Sequence, residues 1–461
     1  MKSWKCWVLN DTDLTNATPE MALILAAGLG SRLRPRTKIP KPLTRVLGLT
    51  LAERVVCTLL DVGVRRFLVS LGHEAETVRG HFSDIARRRG VTIDFVEAGD
   101  WERGNGASAL AAKGRTGEAP FFLVMIDHLF DPAIAQGLAD DPPAPGEMRL
   151  AVDREKDGIF DLDDVTRVKI EDGRIQGIGK TLDGWDAGDT GIMLCTPGLF
   201  EGLERAAARN RHGLSDGLGE LAGEGRARTV DVTGKSWLDV DTPDALREAE
   251  RRLMRDQGRK TRDGPVSRHL NRPVSRWLSR YLVRTAVTPN QISLASWLLS
   301  CIAAGLMALG GYPALAAGGV LAQLASVVDG CDGEIARLKH SRSEFGGWFD
   351  AVLDRYADAI LLFGLMWHEF AATGTHLSVV LGFAAIVGSF LNSYTADKYD
   401  GLMAQRLQGA AYFRLGRDVR VFVIFIGALL NLPLVTLGVV ALVMNVEVVR
   451  RIVVCASADT K

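Results

Sequence analysis

Asp329-Gly330-Cys331-Asp332-Gly333-Glu334-Ile335-Ala336-Arg337, then eight residues, then Gly346-Gly347-Trp348-Phe349-Asp350-Ala351-Val352-Leu353-Asp354 is the stretch that decides the fold of the carboxy-terminal part of this chain. Apolar runs flank it on both sides. On helices, Asp329 and Asp332 lie one turn apart, as do Asp350 and Asp354, so four carboxylates converge where two apolar helices meet. Four acids at the edge of a bilayer repel one another and are costly to desolvate, and they require a compensating cation. Divalent ions bridging a diphosphate meet that requirement. A structural salt-bridge cluster is the weaker explanation, because Arg337 alone among the motif residues would oppose the four acids. Gly333, Ala336 and Gly346 leave room for close helix packing or for a nucleotide.

Working outward, long apolar runs occupy about 291–310, 312–329, 349–371, 376–397, 419–433 and 434–450. Several are near the lower limit of length for crossing a bilayer. Their loops sort by charge. Segments 276–284, 339–342, 398–420 and 450–451 are basic, whereas 310–313, 372–376 and 431–433 carry no Lys or Arg. That alternation predicts an all-α polytopic membrane domain of about six transmembrane helices, with both termini cytoplasmic. A bundle of buried soluble helices has no reason to alternate its loops in this way. Arg414, Arg417 and Arg420 precede the fifth run, and their forks match the phosphate oxygens of an acceptor. The positive-inside rule alone would also place arginines there.

The remainder differs in kind. The 461 residues are 47% apolar, but charged residues crowd the first 285 positions, so a mean hydropathy of +0.09 averages a soluble head with a membrane tail. Lys plus Arg and Asp plus Glu both number 55, which gives no global field for nucleic acid and leaves small anionic substrates open. The six cysteines (Cys6, Cys57, Cys195, Cys301, Cys331, Cys455) lack CxxC spacing and read as reduced thiols of a cytoplasmic setting. Residues 1–20 are polar and acidic without a continuous apolar core; they read as a disordered extension rather than a signal peptide, with Met21 an alternative start. From 21 to 250, short apolar runs at 22–26, 66–71, 93–97, 121–126 and 149–152 alternate with amphipathic stretches, which argues an α/β layered domain. Segment 251–285 reads as a linker and juxtamembrane helix, and 286–461 as the membrane domain.

The first apolar run enters Ala26-Ala27-Gly28-Leu29-Gly30-Ser31-Arg32-Leu33, followed by Pro40-Lys41-Pro42-Leu43. A glycine-rich turn lets backbone N–H groups approach phosphates, and Arg32 and Lys41 supply cations for a triphosphate whose charge moves onto pyrophosphate. A dinucleotide fold would need glycine where Leu33 stands.

The head resembles the sugar-phosphate nucleotidyltransferase family, whose L-A-A-G-x-G-x-R-L and P-K-P-L signatures are present almost unaltered. That resemblance implies a Rossmann-like fold and a catalytic Mg2+ held by Asp127, in Met125-Ile126-Asp127-His128, and Asp239, in Trp237-Leu238-Asp239-Val240-Asp241-Thr242. Two carboxylates facing a triphosphate suit a hard, oxygen-seeking cation. Ile126 stands where many members of that family have glycine, which leaves the local backbone shape open. The resemblance assigns Asn105 and Ser108, in Gly104-Asn105-Gly106-Ala107-Ser108, to the base and ribose, and Lys180 and Thr190, in Asp189-Thr190-Gly191, to the sugar phosphate.

The tail resembles the CDP-alcohol phosphotransferase family, whose signature D-x2-D-G-x2-A-R-x8-G-x3-D-x3-D is matched at every fixed position. It implies metal ligation by Asp329, Asp332, Asp350 and Asp354, with Asp354 also the general base on the acceptor hydroxyl, and a cytidine-side role for Asn290. Mg2+, or Mn2+, is implied at both sites. Head and tail together resemble the bifunctional inositol-1-phosphate cytidylyltransferase and di-myo-inositol phosphate phosphate synthase family. The implied chemistry is CTP plus inositol 1-phosphate giving CDP-inositol, then transfer to a second inositol 1-phosphate to give an osmolyte precursor. The implied setting is multi-pass in the inner membrane, as a homodimer through the membrane part. Two rivals are a lipid acceptor for the CDP-polyol and a non-catalytic anchored nucleotide binder.

Overall fold

The computed structural model describes residues 19–33, 39–257, 264–403 and 416–459. Most of the expected amino-terminal extension, part of the basic segment 398–420 and Arg414 lie outside the described residues. The chain divides into two compact units, 1–252 and 253–461.

The head strands are β1 (Met21–Leu25), β2 (Arg45–Val46), β3 (Leu49–Thr50), β4 (Arg66–Leu71), β5 (Thr92–Glu97), β6 (Phe121–Met125), β7 (His128–Phe130), β8 (Met148–Asp153), β9 (Arg167–Glu171), β10 (Arg174–Gly179), β11 (Ala187–Cys195), β12 (Ala227–Asp231) and β13 (Trp237–Asp239). Its helices are α1 (Leu51–Asp61), α2 (Ala75–Arg89), α3 (Asn105–Leu110), α4 (Pro132–Asp140), α5 (Gly198–Ala208), α6 (Leu214–Gly223) and α7 (Pro243–Asp256). Nine strands form one mixed sheet in the order β5-β4-β1-β6-β11-β8-β12-β10-β9. Strand alternation sends Ala22 and Ile24 to one face, against α1, α2 and α4, and Leu23 and Leu25 to the other, against α5 and α6. Burial on both faces explains why the β1 and β6 runs are continuously apolar.

In the second unit a short helical turn at Ser267–Asn271 leads into α8 (Arg272–Leu282), followed by α9 (Pro289–Ala308), α10 (Tyr312–Leu338), α11 (Glu344–Thr373), α12 (His376–Met403), α13 (Arg417–Leu429) and α14 (Pro433–Asp459). A helix therefore stands at each of the six apolar runs. Among the described residues, three helical segments are long and apolar enough to cross a membrane: Pro289–Ala308, Tyr312–Leu338 and His376–Ala396. α11 has the length, but its first half carries the motif acids, and α13 with 13 residues spans only about 20 Å. Small residues bring the helices together: a Cβ at Gly318 would meet Ala303 O at 2.6 Å, and one at Gly364 would meet Ala304 O at 2.7 Å. Leu298, Ile302, Phe363, Phe383, Leu442 and Val446 are large apolar side chains exposed on the outside of the bundle.

Candidate active sites

β1 and β6 are parallel neighbours, so their carboxyl ends deliver the Gly28–Ser31 turn and the Asp127 turn to the same rim of the sheet. A two-stranded ribbon completes the arrangement. β13 pairs antiparallel with β7, placing Asp239 opposite His128, and Val240 N donates to Asp127 O at 3.0 Å. Aspartates far apart in sequence are thereby held side by side by main-chain hydrogen bonds. Gly30 adopts φ +62°, and a Cβ there would sit 2.6 Å from Lys41 Cβ, so only glycine lets the turn fold over that lysine.

Lys41 is 7% exposed; its ammonium donates to Asp127 Oδ2 at 2.5 Å and also contacts Asp241. Arg32 bonds Asp241 and reaches Asp164 Oδ2 at 2.7 Å, and Lys180 bonds the other oxygen of Asp164. His128 Nδ1 lies 2.7 Å from Asp127 Oδ1. Burial raises the cost of charging Asp127, yet Lys41 and His128 outweigh it and hold the carboxyl well below its usual range. Burial likewise opposes charge on His128, but Asp239, Asp127 and Asp189 push it up to about 9. Asp239 is raised, by burial first and then by Asp127. Its Oδ1 is buried without a hydrogen-bond partner, while Asp127, His128 and Asp239 offer ligand atoms within 4.8 Å of one another. An orphaned carboxylate oxygen in a cluster rich in oxygen donors fits a divalent cation.

Two adjoining cavities meet at Arg32, Asn105, Asp127 and Asp241. One, of about 300 Å3, is walled by Gly28, Gly30, Ser31, Lys41, Trp101 and Ser108; the other, of about 330 Å3, by Lys180, Asp189, Gly191, Trp237 and Asp239. The first has the phosphate-cradle wall and the second the acidic floor.

In the second unit, Asp329, Asp350 and Asp354 bring oxygens within 4.8 Å of one another, and Asp350 Oδ1 is buried without a partner. Asp332 accepts from Ser293 Oγ at 2.6 Å, and Asp329 from Ser296 Oγ at 3.2 Å, both from α9. Arg417 Nη1 stands 2.7 Å from Asp329 Oδ2 and 2.7 Å from Asp354 Oδ1. Here too the donor set and the orphaned oxygen fit a divalent cation.

The amino-terminal portion matches the MobA-like NTP transferase domain model over residues 22–327, and the carboxy-terminal portion the CDP-alcohol phosphatidyltransferase model over 286–455. A bifunctional IPC transferase and DIPP synthase of Rubrobacter xylanophilus is 40% identical over 436 residues, covering 94% of this chain and 95% of that one. The same-named protein of Aquifex aeolicus is 34% identical, with 94% and 97% covered. This chain belongs to the bifunctional IPC transferase and DIPP synthase family. A solved structure of the inositol-1-phosphate CTP transferase from T. maritima is 26% identical with a TM-score of 0.46, covering 51% of this chain and 95% of that one.

For this family member, the structure gathers the sequence-derived head residues Gly28, Gly30, Ser31, Arg32, Lys41, Asn105, Ser108, Asp127, Lys180 and Asp239 around the two cavities. Thr190 is the exception. It is fully buried and its hydroxyl donates to Ala151 O at 2.9 Å, so Asp189 and Gly191 line the pocket in its place. Strand alternation in β11 was the signal for this. Asn105 orders the wall through its side chain, Oδ1 accepting from Leu214 N at 2.7 Å. In the second unit Gly346 opens α11 beside Asn290, with a Cβ there 3.3 Å from Asn290 Oδ1, and Gly333 faces Arg337, whose Nε donates to Gln257 at 2.6 Å. Ala336 lies on the same helix turn as Asp332 and Gly333. Arg420, expected at an acceptor phosphate, is instead 3% exposed and bonded to Asp358. Sequence reasoning missed Asp164, Asp241 and His128 in the head and Asp358 in the tail. Asp164 sits in a loop without periodicity, and Asp358 continues the one-turn spacing of Asp350 and Asp354.

Proposed function

We infer that this chain activates inositol 1-phosphate with CTP, giving CDP-inositol and pyrophosphate, and then transfers the phosphoinositol unit to a second inositol 1-phosphate, giving di-myo-inositol phosphate phosphate and CMP. The observation that carries this reading is 40% identity along 94% of the chain to a bifunctional IPC transferase and DIPP synthase, with both acidic centres intact.

In the head, a phosphate oxygen of inositol 1-phosphate attacks the α-phosphorus of CTP in line. Lys41 and Arg32 face the phosphates over the Gly28–Ser31 turn and offset the charge that builds on the leaving pyrophosphate. Lys180 and Asp164 bound the cavity that takes the inositol phosphate. In the second site, Asp354 accepts the proton of the attacking hydroxyl and Arg417 faces the acceptor phosphate. Asp127 and Asp239 in the head, and Asp329, Asp332, Asp350 and Asp354 in the tail, would hold a divalent ion, Mg2+ or its substitute Mn2+, which would supply charge neutralisation at the phosphate oxygens. Asp354 is paired with Arg417, which also reaches Asp329 and Asp358, and this charged setting favours a phosphorylated polyol over a lipid acceptor. The basic loops support a multi-pass protein of the inner membrane with head and termini cytoplasmic.

The test supplies detergent-solubilised protein with CTP, Mg2+ and labelled inositol 1-phosphate, with Asp332→Asn alongside. Wild type should release CMP and a water-soluble di-inositol phosphate, and Asp332→Asn should accumulate CDP-inositol. A wild type that stops at CDP-inositol until lipid is added would transfer the acceptor role to a lipid.

A further inference from the structure

Asp358 lies one turn beyond Asp354 on α11, with a side chain 5% exposed. It gathers three partners: Arg417 Nε at 3.4 Å, Arg420 Nη2, and Ser389 Oγ, which donates from α12 at 3.1 Å. Arg417 also bridges Asp329 and Asp354, and those two belong to the trio whose oxygens cluster within 4.8 Å. A guanidinium and a divalent ion thus claim the same two carboxylates.

We propose that Arg417 is a resident counter-ion that Asp329 and Asp354 release when a divalent cation arrives, and that Asp358 is the positioning residue that receives it. The inference rests on the second site as read above. Two positive groups within a few ångströms repel strongly in a site sheltered from water, so both cannot keep full contact with the same oxygens. An arginine cannot shed its proton and must find another acid. Asp358 is already within 3.4 Å of Nε, so rotation of the terminal bonds of the side chain completes the transfer. Arg420 and Ser389 brace the second oxygen of Asp358, which keeps the acid in place while its partner moves. Once transferred, Arg417 stays beside Asp354 with fork donors available for an oxyanion. A cation that merely filled the gap left by the metal could be a lysine; one that must keep an anchoring acid and an oxyanion at once needs the planar fork.

The experiment is Mn2+ binding to the full-length protein in detergent on an Asp239→Asn background, which disables the head's acidic centre, without nucleotide or inositol phosphate, following free Mn2+ by electron paramagnetic resonance. Removing a unit positive charge about 5 Å from a divalent ion is worth on the order of tenfold in affinity even at high effective dielectric. Arg417→Gln should therefore bind Mn2+ at least about tenfold more tightly, whereas Asp358→Asn should bind it more weakly and Asp358→Glu should stay close to wild type. A packing role would not move affinity in opposite directions. Unchanged or weaker binding in Arg417→Gln overturns the proposal. Should that variant fail to fold, the Asp358 pair decides: equal Mn2+ affinity in Asp358→Asn and Asp358→Glu overturns it. No substrate enters the assay, so an error in the inositol assignment leaves this result standing.

Discussion

Replacing Lys41 by Met separates the two reactions within one polypeptide. Lys41 is 7% exposed, sits 2.5 Å from Asp127 Oδ2 and also bonds Asp241, so its loss leaves two partly buried carboxylates facing each other without their shared cation. Breaking a buried ion pair by removing one partner costs about 3–5 kcal/mol, but His128 on Asp127 and Arg32 on Asp241 remain, which places the cost to the head nearer about 2 kcal/mol. The rate effect is larger. A cation facing the leaving pyrophosphate acts mainly in the transition state, and removing one such group costs on the order of 100- to 1000-fold. The assay follows pyrophosphate from CTP and inositol 1-phosphate, and separately CMP from supplied CDP-inositol, since the second centre lies in another compact unit. Pyrophosphate release should collapse while CMP release persists. Pyrophosphate release within about threefold of wild type, from protein that melts normally, would refute the role given to Lys41.

Gly191 adopts φ +74°, and a Cβ there would run into the His128 ring, so Gly191→Ala should destabilise the head by about 2 kcal/mol and slow nucleotidyl transfer, read by thermal unfolding and pyrophosphate release. Glu53 is buried under Arg88 and Arg89 at 2.8 and 2.9 Å; burial opposes its charge, but the two arginines outweigh burial and lower its pKa. Its contribution is thus complete above the unfolded value of about 4.5 and is lost as pH falls through the lower folded value. Glu53→Gln should cost about 2 kcal/mol at pH 7 and flatten the acid limb of a stability–pH curve measured by denaturant unfolding. Chelation with EDTA should stop both reactions, and Mg2+ should restore both; activity surviving chelation would contradict the acidic clusters as cation sites.

The readable parts of this molecule are those in which spacing alone carries the chemistry. The motif aspartates repeat at helical intervals inside apolar runs, and the Gly28–Gly30 turn follows a continuously apolar strand, so both could be placed from order and periodicity. Asp164 and Asp241 were hidden because their roles depend on Arg32 and Lys41 folding over from β1. Asp358 was hidden for a different reason: an acid one turn past a motif looks like a solvated helix face until α13 brings two arginines to it. Thr190 was misassigned by treating a three-residue run as a unit. In a strand its middle residue faces the opposite side from its neighbours.

The ribbon of β7 and β13 has a consequence for what this head can tolerate. The relative position of Asp127 and Asp239 is set by the pairing of Asp239 with His128 rather than by the length of chain between them. Surface loops in that interval can therefore lengthen, or even accept a grafted module, without disturbing the acidic centre. A single residue inserted within Trp237–Asp239 is a different matter: it reverses which side of the ribbon each side chain occupies and turns the second aspartate away from the first. Any recombination of this head with foreign segments should keep those three residues in frame and confine its changes to surface loops that leave Asp164, Lys180, Asp189 and Gly191 in place.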